Sequence, residues 1–302
     1  MHPTAKRLAF FPMPRTCLAL ALGAAALGAF LAFAPAPASA QTPPPRDPFA
    51  EDAPAYNDLV ARSFLIEVEP LVEKHTGWDC HWPVPFRLVT RTQYIDAMLQ
   101  EIRRKFAALS PGTNPAKIDA AFRPSIEAGS IGLLGRYSSF TKSLYLLPGN
   151  LPPALRNIGV EKRFTRDVIE LVLAHELTHA VQDSQEHIGD RSETIRNEQQ
   201  ATAWTMIIEG HASWVADCVA RDLGLDEAAQ RLAQQMTANS HQGADRGQSS
   251  ANTRGYIAGK KFIEAVFAHG GLRAVQALFK NPPLTPDLIE NPESFFALQA
   301  RR

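Results

Sequence analysis

Apolar residues recur at helical spacing along much of this chain, and polar or proline-rich stretches separate the runs. Over residues 56–74, Leu59, Val60, Phe64, Leu65, Val68 and Leu71 lie three and four apart, which predicts a helix. Residues 83–90 place Phe86, Leu88 and Val89 after two prolines and predict a short strand, and residues 93–109 return to helical periodicity. Residues 130–147 differ, with Gly, Tyr, Thr and a Leu-Tyr-Leu run broken at Ser138-Ser139; they predict two strands, or one strand and a turn, that end at Pro148-Gly149-Asn150. Long helices follow over 163–185, which Thr165 can cap, and over 197–221, then a third over 226–238 that is rich in helix formers. Residues 240–255 are polar with Gly and Ser and predict a mobile loop; shorter helices over 256–268 and 272–279 precede a proline-punctuated tail. The pattern is that of an α+β, helix-rich fold with a small sheet and no internal repeat.

The two ends of the pattern change this picture. Lys6, Arg7 and Arg15 give a basic start without acidic residues, an apolar run covers 17–33, and Ala38-Ser39-Ala40 places small residues before Gln41. That order predicts a cleaved secretory signal over 1–40, with an uncleaved anchor as the lesser alternative. Residues 41–54 are dense in proline and predict a disordered lead-in, which leaves 55–302 as the folded domain. No later stretch is long and apolar enough to span a bilayer, so the expected product is periplasmic or secreted, without stable membrane insertion. The chain has 31 basic and 31 acidic residues; the leader holds three of the basic ones, so the remainder carries a net charge of −3. A mildly acidic surface without a basic stripe argues against a nucleic-acid partner. Cys17 belongs to the leader, and Cys80 and Cys218 remain as a candidate disulfide in an exported protein, the alternative being two buried thiols.

Chemistry concentrates in His175-Glu176-Leu177-Thr178-His179. Residues four apart on a helix share a face, so the two imidazoles can converge on one ion such as Zn2+. Glu176 lies beside them and is free to carry a proton. Val168, Ile169, Leu171, Val172, Leu173, Leu177 and Val181 make the helix apolar on most sides, a poor setting for two histidines and a carboxylate without a shared purpose. A catalytic ion needs a third protein ligand. A histidine six residues after His179 is excluded, because that position is Gln185 and the glycine expected midway is Gln182. Thirty residues after His179, Glu209 stands in the apolar run IIEGHASW, where an ionised carboxylate calls for a partner or an ion. Glu209 is therefore the preferred third ligand, with His211 as its competitor. Asp183, one turn beyond His179, and Asp217, two turns beyond Glu209, are candidates to orient ligands, with a solvent-facing acid as the plain alternative for Asp183. Tyr256 is the candidate oxyanion donor, against the simpler reading of an aromatic packed at a helix start; Trp204 and Trp214 read as core.

The run HELTHAVQD followed by an EG-x-A helix resembles the gluzincin branch of zinc metallopeptidases, the thermolysin-like arrangement, and more closely its uncharacterised exported bacterial members. Weaker likenesses lie in Gly135-Arg136-Tyr137 to Leu144-Tyr145-Leu146, in GYIAGKKFIEAV and in NPPLTPDLIENP. The resemblance implies a zincin-like fold with the small sheet packed beside the HExxH helix. It implies zinc on His175, His179 and Glu209, Glu176 as the base, and a peptide or protein substrate lying against the Leu144-Tyr145-Leu146 strand. Two other functions fit the same residues: a non-catalytic zinc- or partner-binding protein on that scaffold, and a hydrolase of a cell-wall or ester bond.

Overall fold

The computed structural model of the chain describes residues 58–80, 83–151, 165–195, 197–242 and 248–301. The expected signal and lead-in lie outside these residues. In chain order the elements are α1 (Asp58–Thr76), β1 (Phe86–Leu88), α2 (Arg91–Leu109), α3 (Pro115–Gly129), β2 (Gly135–Ser138) and β3 (Ser143–Leu146). Then come α4 (Thr165–Glu186), α5 (Ile188–Thr194), α6 (Glu198–Leu223), α7 (Asp226–Gln242), α8 (Gln248–Lys280), α9 (Pro286–Glu290) and α10 (Pro292–Gln299). The architecture is α+β and helix-rich, with one three-stranded sheet.

The sheet runs β1-β3-β2, with β1 parallel and β2 antiparallel to β3. Strand β3 is thus central, and both of its edges are already paired. Successive side chains of a strand point to opposite faces, and β3 uses this to separate two cores. Leu144 and Leu146 join the main core built on α1, α4, α6 and α8, whereas Tyr145 and Leu147 join a smaller one with Tyr94, Leu99, Ile118 and Phe122 of α2 and α3.

Local chemistry accounts for where the helices begin. Thr90 and Gln93 form a capping box at the start of α2, Asn114 precedes Pro115 at the first turn of α3, and Asn197 accepts two amide N–H groups at the start of α6. Helix α4 is buried on every side between residues 168 and 183, its polar Glu170, His175, Glu176, His179, Gln182 and Asp183 included. It packs on α1, α6 and strand β2.

Two helices lie where no element was expected, and one expectation changes. Residues 115–129 form α3, although Ile118, Phe122 and Ile126 recur at helical spacing and Asn-Pro marks the start. Ile188–Thr194 is a short helix, α5, that periodicity over seven residues is too brief to reveal. The loop expected over 240–255 is trimmed at both ends, because α7 runs to Gln242 and α8 opens at Gln248. The break expected between helices over 256–268 and 272–279 is present, because α8 is two helical runs interrupted at Gly270 and Gly271, whose dihedrals are non-helical. The proline-punctuated tail holds α9 and α10, each with proline in its first turn. Among the described residues no helix is long and apolar enough to cross a membrane.

Candidate metal centre

Helix α4 brings His175 and His179 to one face, with their rings edge to face and 4.7 Å between centroids. Their Nε2 atoms are 3.1 Å apart. Glu209 reaches the pair from α6: its Oε2 is 3.2 Å from His175 Nε2 and 3.4 Å from His179 Nε2. The three residues are 0%, 2% and 1% exposed, so the cluster is closed to bulk water.

Two glycines let α6 deliver Glu209 there. A Cβ on Gly210 would fall 2.3 Å from the carbonyl carbon of Gly259 on α8, and one on Gly259 would fall 2.1 Å from Met206 O. The two backbones are therefore in direct contact beside Glu209. Tyr256 lies three residues before Gly259 on α8, and the crossing turns its buried phenol toward the Glu209 carboxylate, with which it interacts. Burial, reinforced by the charge of Glu209, holds the phenol well above its ordinary value, so it is a hydrogen-bond donor. Tyr256 is thus both a packed aromatic and a neighbour of the cluster.

The donor set fits a small divalent ion. Ligands about 2.0–2.1 Å from a tetrahedral centre stand about 3.3 Å from one another, and the observed edges of 3.1, 3.2 and 3.4 Å form such a face. Two imidazoles and one carboxylate make a set of intermediate softness, which several first-row divalent ions accept. Without an ion, the cluster balances its own charge. Burial pushes His175 down to about 4. Burial opposes charge on His179 as well, but the Glu209 carboxylate outweighs it and holds the ring up to about 9. Burial likewise opposes charge on Glu209, and the two imidazoles outweigh it, drawing the carboxyl down to about 2.

Glu176 points from the same helix to strand β2. Tyr137 N–H donates to Glu176 Oε2 at 2.6 Å. The ladder explains why this amide is available. Leu147 N–H donates to Leu134 O, so the two-residue alternation of an antiparallel pair turns the amides of Gly135 and Tyr137 outward, away from β3. Strand and helix meet closely: a Cβ on Gly135 would fall 2.8 Å from Val172 Cγ1 and 3.3 Å from Glu176 Cγ. Burial pushes the Glu176 carboxyl up to about 7, against the pull of His179 and the Tyr137 amide.

The remaining expected residues divide. Asp183 is buried but serves β2 and the following turn, accepting from Tyr137 Oη at 2.8 Å and Lys142 Nζ at 2.6 Å. Tyr137 therefore grips α4 twice, by its amide at Glu176 and its hydroxyl at Asp183. Asp217 does not turn to the histidines; eight residues past Glu209 leave it about 80° around the helix, where it pairs with Lys260 of α8. The Cys80–Cys218 disulfide is absent: both are thiols. Cys218 Sγ lies 3.0 Å from Arg221 Nη2, while Cys80 is anchored through its amide to Glu73 Oε1 and lies near Tyr137. His211 is not in the cluster but behind it, between Trp78, Trp214 and Phe279. Trp204 is core, its Nε1 donating to Ser192 Oγ. The substrate strand expected along Leu144-Tyr145-Leu146 cannot form on β3, since β1 and β2 flank it; the strand beside Glu176 is β2. One residue absent from the expected set is Gln182, fully buried and hydrogen-bonded to His179. Its place one turn past His179 was visible in the sequence, whereas its burial and its partners on α6 were not.

No family model and no curated protein sequence matches the chain. One solved structure does: a protein from Chloroflexus aurantiacus, described as a candidate hydrolase with a novel fold, superposes with a TM-score of 0.56. The match has 18% sequence identity and covers 95% of this chain and 97% of the other. The two chains share a fold along nearly their whole length.

Proposed function

We propose that this chain is an exported zinc-dependent hydrolase, a zincin-like metallopeptidase of the gluzincin kind that cleaves peptide bonds. The observation that carries the reading is the buried triangle of His175 Nε2, His179 Nε2 and Glu209 Oε2, whose edges suit three ligands of one tetrahedral ion. The description of the Chloroflexus aurantiacus neighbour as a candidate hydrolase agrees with it. Export is supported by the basic and then apolar leader of residues 1–40.

Zinc on these three residues supplies Lewis acidity, polarising a carbonyl oxygen and acidifying water. The chain's own groups do the rest. Glu176, held by the Tyr137 amide with its carboxyl near 7, takes a proton from the attacking water and returns it to the leaving amine. Tyr256, protonated and facing Glu209, is the donor placed to meet the developing oxyanion.

Replacing Glu176 tests the reading. Glu176→Gln keeps size and hydrogen bonding but cannot take a proton. Cleavage of a peptide library should fall about 10²–10⁴-fold while zinc stays bound. Undiminished cleavage would exclude Glu176 as the base, and a wild type that cleaves no peptide would exclude the peptidase reading.

A further inference from the structure

Gln182 lies three residues after His179 on α4 and is fully buried. Its Nε2 is 3.0 Å from Ile208 O and 3.0 Å from His211 Nδ1, and its Oε1 is 2.9 Å from His179 Nδ1. The orientation of this amide follows from one contact. A main-chain carbonyl only accepts, so the NH2 end must face Ile208, and the oxygen must then face His179. An amide oxygen also only accepts, so His179 Nδ1 must carry the hydrogen. When the ring gives up its other proton to bind a metal, the lone pair is on Nε2, the atom 3.1 Å from His175 Nε2 and 3.4 Å from Glu209 Oε2.

The same reasoning continues to His211. Its Nδ1 accepts the second N–H of Gln182, which leaves its hydrogen on Nε2, without an acceptor among the described residues. Trp78, Trp214 and Phe279 enclose that ring. His211 is thus the rigid acceptor that, with Ile208 O, engages both protons of the amide. Ile208 adjoins Glu209 in the chain, so one side chain ties a histidine of α4 to the backbone that presents the carboxylate of α6.

We propose that Gln182, backed by His211, is a positioning residue of the metal centre: it fixes His179 in the tautomer that offers Nε2 and sets that ring's distance from Glu209. The assignment rests on the zinc centre proposed above. Partners of this kind typically change metal affinity by about 10–100-fold when removed.

The test compares zinc dissociation constants, measured by chelator competition, with thermal midpoints of the metal-free proteins, for wild type, Gln182→Met and Gln182→Glu. Gln182→Met keeps volume and loses every hydrogen bond, so zinc should bind about 10–100-fold more weakly. Gln182→Glu restores an acceptor for His179 Nδ1 but sets a carboxylate against Ile208 O. It should recover zinc affinity above Gln182→Met while melting lower. A purely structural role would order the two properties alike, and either that result or wild-type affinity in Gln182→Met overturns the assignment while leaving the zinc centre standing. A wild type that binds no zinc removes the centre itself and this role with it. Should neither variant fold, nitrogen NMR of the zinc-loaded wild type decides: His179 bound through Nε2 with hydrogen on Nδ1 is expected, and binding through Nδ1 overturns the proposal.

Discussion

Position 135 has no room for a side chain, and what occupies the space is α4, the helix that carries His175, Glu176 and His179. The nearest atoms to a Cβ there are Val172 Cγ1 at 2.8 Å and Glu176 Cγ at 3.3 Å. Glycine thus lets β2 approach until the Tyr137 amide reaches Glu176 Oε2. Gly135→Ala should destabilise by about 1–3 kcal/mol, the usual range for overpacking a filled core. In a domain of this size that lowers the melting midpoint by roughly 2–4 °C per kcal/mol. Trimming the opposing branch with Val172→Ala in the same chain should return part of the loss, because the two sites share one contact. Additive losses in the thermal melts would contradict the contact. His175, Glu176 and His179 were legible from sequence because ligand spacing on one helix is a local property. Glu209 was legible because an ionised group in an apolar run needs a partner. Gln182 was not, since its meaning depends on Ile208 and His211, which only the packing of α6 brings to it.

At the scale of elements, the crossing of α6 and α8 decides which residues meet Glu209. Alanine usually favours a helix over glycine by about 1 kcal/mol, so Gly259→Ala would stabilise an isolated α8. In the folded chain the added Cβ would sit 2.1 Å from Met206 O and 3.2 Å from Gly210 Cα, backbone atoms that no rotamer change can move. The clash wins, and Gly259→Ala should cost at or above the upper end of about 1–3 kcal/mol, a larger loss than Gly135→Ala in the same thermal melts. A neutral or stabilised variant would contradict the close approach. This crossing also shows where sequence reading stopped. The runs of α4 and α6 were read to within a few residues, yet the angle at which α8 meets α6 sends Asp217 to Lys260 and Tyr256 to Glu209. The same limit applied to Cys80 and Cys218, whose pairing was inferred from export and count rather than from the direction of either side chain. Helix α3 differed: its cap and its Ile118, Phe122, Ile126 spacing were present in the sequence and went unread.

Across the whole molecule, one thin sheet separates two cores, and the candidate metal centre lies on the larger side, where four helices converge. That arrangement explains how so many ionisable groups come to be buried together. His175, Glu176, His179, Asp183 and Glu209 are each no more than 2% exposed, a placement that disfavours charge unless the groups compensate one another or share an ion. A metal that binds only the folded state also adds to its stability. The central claim is therefore about an ion, and metal content tests it most directly. The chain purified as the mature protein, and its Glu209→Gln variant, would be measured for bound zinc by elemental analysis after reconstitution. The account predicts about one zinc per wild-type chain, lost or greatly weakened in the variant. Wild-type protein that takes up no zinc, or a variant that holds it as firmly as the wild type, would contradict the ligand set on which the proposed chemistry depends.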